Sequence, residues 1–340
     1  MSTEKIAVVA GGTAGVGRAT VDALIAEGYR VGVLARGRER LDELAETHGD
    51  RVMTLPVDVG DARETTRAAS AIEEALGPIG VWINCAMLTS FSPFEKMAPE
   101  EFDRIVRTTF LGVVNGTRAA MSLMQRRGRG RIVTAGSGLA YRAVPLQSAY
   151  CASKHAINGF LASVRSELIH QGSDISISVV QLPALDTPQF DWAKNRLDMK
   201  PQPAPPVYRP EVAARALMQA VRDGNRELFV GPSVLQLVFG DMVLPDLMDR
   251  IIARAGTEQQ HSDRIEPGNR PDNLHGPVDH VGASASGSFG ELAEDRAIVV
   301  DGDQARIGVF FGLPLVALGL GLAVGSALAQ SRSRSRSRHW

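Results

Sequence analysis

Ile6-Ala7-Val8-Val9-Ala10-Gly11-Gly12-Thr13-Ala14-Gly15-Val16-Gly17 is the stretch that decides the fold. A short apolar run reads as a buried strand, and it enters a glycine turn that opens a helix. Gly11 permits the tight turn, Gly15 lets backbone approach a pyrophosphate, and Gly17 lets helix and strand pack closely. Thr13, Ala14 and Val16 complete the turn. The helix start presents free N–H groups and a partial positive charge to phosphates.

Outward from this turn the chain alternates strand and helix. A helix is expected over 17–28, a strand over 30–35, and a helix through Leu41, Leu44 and Ala45. Strands follow at 52–57, 81–85, 131–135, 175–181 and 227–230, with helices at 62–76, 100–126, 147–170 and 210–222 between them. The strands are apolar throughout rather than alternating, as parallel strands are when helices cover both faces. The fold class is therefore α/β: a Rossmann-type, doubly wound, parallel seven-stranded sheet with helices on both faces.

The 340 residues divide unevenly. Residues 1–255 form the catalytic domain. Residues 256–306, poor in large apolar side chains, read as a disordered linker. Residues 307–329 carry no charge and exceed the roughly 20 that cross a bilayer as a helix, so they are expected to span or associate with the membrane. Gly308-x-x-x-Gly312 and Gly321-x-x-x-Gly325 suit close helix packing there. The tail at 330–340 places Arg332, Arg334, Arg336 and Arg338 where they can bind anionic head groups, making membrane lipid a partner through 307–338. The N-terminus leaves no room for a signal peptide before the first strand, so the catalytic domain is expected on the cytoplasmic side, anchored by its C-terminus. A net charge of −1 gives no reason to invoke nucleic acid. Cys85 and Cys151 build neither a disulfide framework nor a metal cluster, and the histidines have no ligand spacing.

Gly-x-x-x-Gly-x-Gly after the first strand resembles the short-chain dehydrogenase/reductase family over about residues 5–232. Tyr150-Cys151-Ala152-Ser153-Lys154 supports the resemblance, because i, i+4 spacing puts Tyr150 and Lys154 on one helix face. An ammonium beside a phenol would lower its pKa and fit it for general acid/base work. Ser137, at the carboxyl end of the fifth strand, matches the family's serine that stabilises the substrate oxygen. The resemblance further implies that Lys154 binds the nicotinamide ribose. It assigns Asp58 and Val59 to adenine, Asn84 and Ala86 to the wall beside the cofactor, and Pro183 and Thr187 to the nicotinamide. It implies a homodimer or homotetramer built through the two long helices. At the end of the second strand, where an acid would select NAD, Arg36 offers a fork for a 2′-phosphate, so NADP(H) is favoured over NAD(H).

Three departures stand out. Met87 replaces a glycine, Pro-Gly has become Pro183-Ala184, and the helix asparagine of the proton relay aligns with Thr109, which is taken as its replacement; Asn115 faces elsewhere. A lid over 184–208 with Phe190, Trp192, Met199 and Tyr208, facing Leu88, Phe91, Phe94 and Tyr141, implies an apolar pocket. The expected function is carbonyl–alcohol interconversion on a lipophilic small molecule at the membrane. The alternatives are a non-catalytic NADP(H) redox sensor or scaffold and a sugar-nucleotide enzyme.

Overall fold

In β1 (Lys5–Ala10), Ala7 and Val9 point into one apolar layer while Ile6, Val8 and Ala10 point into another. A strand with both faces buried must lie inside a sheet covered twice. The computed structural model describes residues 5–312 except 267, 269 and 279–283, and divides into compact units at 1–299 and from residue 300 on. After β1 come α1 (Gly15–Ala26), β2 (Tyr29–Ala35), α2 (Arg38–His48), β3 (Val52–Pro56), α3 (Ala62–Leu76) and β4 (Ile79–Asn84). Then follow α4 (Pro99–Val106), α5 (Gly112–Met124), β5 (Arg129–Ala135), α6 (Ser148–His170), β6 (Asp174–Gln181), α7 (Pro210–Asp223) and β7 (Glu227–Val230).

The strands are parallel in the order β7-β6-β5-β4-β1-β2-β3, and Val299 opens an eighth short strand outside β7. The order reverses between β1 and β4, and the carboxyl ends of strands at such a switch point are where ligands bind. Val21, Leu24, Leu41, Leu44 and Leu217 fill the layer under α1, α2 and α7. Ile72, Val113, Leu123, Ile157 and Leu161 fill the opposite layer under α3, α5 and α6. Helix α4 runs into α5 through a widened turn, Arg107–Leu111, where Thr108 and Thr109 are buried. Trp82 and Cys151 are core residues.

Two parts of the chain differ from expectation. The sequence reading places no elements between 231 and 255, but α8 (Pro232–Val243) and α9 (Pro245–Glu258) lie there, and Val234 and Val238 are buried. Among the described residues of 256–306, expected as a disordered linker, several form paired strands. His261–Ile265 pairs antiparallel with Met199–Pro201, and Ala293–Glu294 lies parallel to Val207–Tyr208. Leu274, Val278 and Phe289 are buried. The segment lacks the apolar surface to fold alone, but it docks on a surface already formed, where its polar groups find partners. The buried Asp186 carboxylate, for instance, accepts from the Phe289 N–H at 2.9 Å.

Within the second unit, Asp301 caps a helical turn, Gly302–Ile307, by accepting from the N–H groups of Asp303 and Gln304. The expected membrane segment at 307–329 lies outside the described residues from 313 on, as does the arginine tail. Among the described residues no helix is long and apolar enough to cross a membrane.

Candidate active site

The glycine turn is set by contacts that admit no side chain. Gly11 has φ +84°, its N–H donates to the Leu34 carbonyl at 2.7 Å, and a Cβ there would stand 2.6 Å from the Ala86 backbone. At Gly17 a Cβ would stand 1.9 Å from the Gly11 carbonyl oxygen. Gly17→Ala therefore forces the turn away from α1. We expect a loss of about 2 kcal/mol or more, seen as a lower thermal midpoint together with weakened dinucleotide binding. Ala14 gives α1 no side-chain cap, so the helix start keeps its N–H groups for a ligand. One of them is engaged: Gly15 N–H donates to the Ser284 carbonyl at 3.0 Å.

A cavity of about 710 Å³ runs from this turn across the carboxyl edge of the sheet. At its turn end it meets Thr13, Ala14, Val16, Arg36, Asp58 and Val59. Arg36 is held by the strap that follows α9. Its Nη1 donates to the Leu274 carbonyl at 3.2 Å and its Nη2 to that of Asn273. Burial, then Arg104, lower its pKa, while Asp58 opposes them. Arg104 pairs with Asp58 at 2.7 Å and donates to the same Leu274 carbonyl. Arg40 lies 4.5 Å from the Trp192 ring centre and also lines the cavity. Sequence reading missed Arg40 and Arg104, because neither belongs to a local motif.

Ser137, Tyr150 and Lys154 meet further along the same cavity. Ser137 follows β5, and its N–H donates to the Gln181 side chain at 2.9 Å. Gln181 donates in turn to Glu227, which also accepts from the Tyr141 hydroxyl. This buried chain of polar groups, likewise unforeseen, fixes the backbone that carries Ser137. The Ser137 hydroxyl accepts from the Leu139 N–H at 3.1 Å and lies near enough to the Tyr150 hydroxyl to lower its pKa. Lys154 Nζ donates to the Ala135 carbonyl at 2.6 Å and stands 5.5 Å from the Tyr150 ring centre.

The electrostatics correct the sequence expectation. Burial pushes the Tyr150 phenol above its ordinary 10, and only Ser137 pulls it back; Lys154 is not among the influences. Lys154 is itself lowered to about 8, first by burial, with Cys85 opposing. Burial, and not the neighbouring ammonium, sets the direction of the phenol's shift.

Other expected residues are placed differently. Both hydrogen-bonding directions of the Thr109 hydroxyl are used by Leu88, accepting from its N–H at 2.9 Å and donating to its carbonyl at 3.0 Å. It is fully buried and clasps backbone rather than facing the cavity. Asn84 accepts from the Trp82 indole at 2.8 Å and reaches Thr117 and Thr134, beneath the cavity rather than on its wall. Gly15 also falls outside the lining, whereas Gly11, Gly17, Ala86, Met87, Pro183, Ala184 and Thr187 line it. Asn115 donates to the Val59 carbonyl at 2.9 Å, away from Thr109's position, as expected.

On the apolar side Leu88, Phe190 and Trp192 face the cavity, but Met199, Tyr208, Phe91, Phe94 and Tyr141 do not. Phe91 packs on Phe190, and Phe94 is exposed. Their places are taken by Leu237 of α8 and Met248, Ile251 and Ile252 of α9. Among the described residues no group of three or more His, Cys, Asp or Glu could hold a metal.

The short chain dehydrogenase family model matches residues 5–196. The chain is 28% identical over 266 residues to the uncharacterized oxidoreductase YxnA of Bacillus subtilis, covering 77% of this chain and 75% of that one. It is 30% identical over 219 residues to the 2-(R)-hydroxypropyl-CoM dehydrogenase of Xanthobacter autotrophicus, covering 62% of this chain and 87% of that one. A crystal structure of a short-chain dehydrogenase from Streptomyces avermitilis superposes with a TM-score of 0.64 at 23% identity, covering 76% of this chain and 98% of that one.

Proposed function

We propose, for a chain that belongs to the short-chain dehydrogenase family and is an oxidoreductase acting on alcohols or carbonyls with NAD(P), that its reaction is reduction of a lipophilic carbonyl with NADPH. The observation that carries this is the meeting of Ser137, Tyr150 and Lys154 in the cavity that begins at the glycine turn. The residues present fit a dinucleotide. The uncapped start of α1 and the close turn at Gly11 suit a pyrophosphate, with Thr13, Ala14 and Val16 beside it. Arg36 suits the 2′-phosphate, and Asp58 and Val59, which line the same end of the cavity, would take the adenine. When bound, the nicotinamide supplies the hydride.

The chain supplies the proton and its control. Ser137 donates to the substrate oxygen and holds it against Tyr150. Tyr150, kept protonated by burial, hands its hydroxyl proton to that oxygen as charge develops there. The raised pKa favours reduction over oxidation, since oxidation needs the phenolate that burial disfavours. Lys154 holds the backbone at Ala135 and lies close enough to Tyr150 to stabilise the phenolate as the proton leaves. The apolar lining of Leu237, Met248 and Ile252 supports a lipophilic substrate.

The test is oxidation of NADPH and NADH by the full chain against apolar and polar ketones. NADPH-dependent turnover preferring the apolar members is expected. Tight NADPH binding with no turnover on any carbonyl would instead fit a redox sensor. Arg36→Ala removes the phosphate fork, so KM for NADPH is expected to rise about 10- to 100-fold, the size of a lost charged hydrogen bond. KM for NADH should stay nearly unchanged. Equal changes for both cofactors would mean that Arg36 does not read the phosphate.

A further inference from the structure

The corner between α8 and α9 exposes five large apolar side chains within ten residues, interrupted by Pro245-Asp246 and by Met248-Asp249-Arg250. Met242, Val243, Leu244, Leu247 and Ile251 are 50%, 59%, 54%, 49% and 46% exposed. A folded chain scatters such residues singly; grouped, they mark a surface that meets something apolar. We propose that this corner docks on the surface of a lipid bilayer and passes lipophilic substrate from it into the cavity.

Two features select lipid. First, the corner is the rim of the cavity. Helix α9 turns Met248 and Ile252 into the lining while Leu247 faces out, and Ile251 does both. A protein seated there would stand over the opening, whereas an acyl layer would be continuous with the apolar wall. Second, the charge fits. Arg250 and Arg254, four apart on α9, are exposed beside the Leu247–Ile251 stripe, where anionic head groups would meet them. The acids of this corner are Asp246, Asp241 and Asp249; the last two share Arg142, and Asp249 stays 67% exposed, so head groups would meet Asp246 and Asp249 as well as Arg250 and Arg254. The chain also continues into the charge-free 307–329 stretch and the four tail arginines, which would keep it near a membrane.

This inference rests on the lipophilic-carbonyl reading, but its first test needs no turnover. Hydrogen–deuterium exchange of the full chain would be followed alone, with phosphatidylcholine vesicles, and with vesicles containing phosphatidylglycerol. Exchange across 242–254 is expected to slow about tenfold on the anionic vesicles. Val243→Glu with Leu247→Glu, both exposed and outside the cavity lining, should abolish that protection even where the chain still sediments with vesicles. The same variant should lose about tenfold in kcat/KM on a long-chain ketone embedded in vesicles, with a water-soluble ketone unaffected. Unchanged exchange at 242–254 on vesicles that carry the protein would overturn the proposal. So would full protection without vesicles, which would mean that another part of the chain or a second copy covers the corner. If protection appears but no ketone is turned over, the docking stands and the enzymatic reading falls.

Discussion

Tyr150→Phe is expected to lower kcat by about 10³-fold, within the range of a lost general acid, while leaving NADPH affinity within a factor of a few. The change removes one oxygen and keeps the ring, so the cavity wall and the packing of α6 persist. What is lost is the proton at the substrate oxygen and the hydroxyl neighbour of the Ser137 side chain. Titration calorimetry for NADPH beside single-turnover rates for an apolar ketone separates the two effects. The wild-type pH profile should carry the same signature. A phenol raised above 10 remains protonated through the ordinary range, so the proton donor itself is not exhausted below that pH. The group that changes charge nearer neutrality is Lys154, at about 8. Reductive kcat/KM, which reports the free enzyme, should therefore fall above about pH 8 as the ammonium is lost. A fall beginning only well above pH 10 would assign it to the phenol instead.

Lys154→Met should pull activity and stability in opposite directions. Lys154 is 5% exposed, and burial lowers its pKa from 10.5 to about 8. Below pH 8 the folded chain carries a buried ammonium that the unfolded chain would hydrate, so the charge destabilises the fold. Between about 8 and 10.5 the unfolded state binds more protons than the folded one, and stability rises with pH across that window. The shift corresponds to about 3 kcal/mol at neutral pH. A methionine of similar length avoids that cost but forfeits the hydrogen bond to the Ala135 carbonyl. The ligand-free variant is expected to melt several degrees higher at pH 7, with the gap closing towards pH 10, while turnover drops at least 100-fold. Equal melting temperatures at pH 7 would mean that the ammonium is well compensated in the folded chain.

How much of this could be read from sequence depended on where each residue's partners lie. The β1 turn, the order of strands and helices, and the register of Ser137, Tyr150 and Lys154 are local signals, and the structure places them as expected. Strand ends moved by only a residue or two, as at β4 and β5. The helices α8 and α9 were missed because they follow one another directly after β7, where the alternation of strand and helix ends. The strap after α9 was taken for a linker because composition measures what a segment can bury by itself. It does not measure what the segment can complete on a surface built by others. Arg104, Arg40, Gln181 and Glu227 carry no motif; only the fold brings Arg40 to the cavity and sets Arg104 on Asp58 and Gln181 and Glu227 behind Ser137. Thr109 sits where alignment put it, yet the structure spends its hydroxyl on Leu88. Charge spacing in a sequence cannot report dehydration, which is why the expected lowering of Tyr150 became a rise.

The strap also gives the site a place in time. Arg36 receives its carbonyl partners from residues 237 and 238 positions later in the chain. At about 5–20 residues per second, a ribosome needs roughly 10 to 50 seconds to cover that distance. During that interval the nascent Rossmann core has its glycine turn and its first strands but lacks the carbonyls that hold the arginine. Stabilisation by the dinucleotide, which depends on affinity through mass action, would reach full strength only once the strap has emerged. A young chain must therefore persist for that time on its apolar layers alone, and cofactor supply would protect finished molecules more than growing ones.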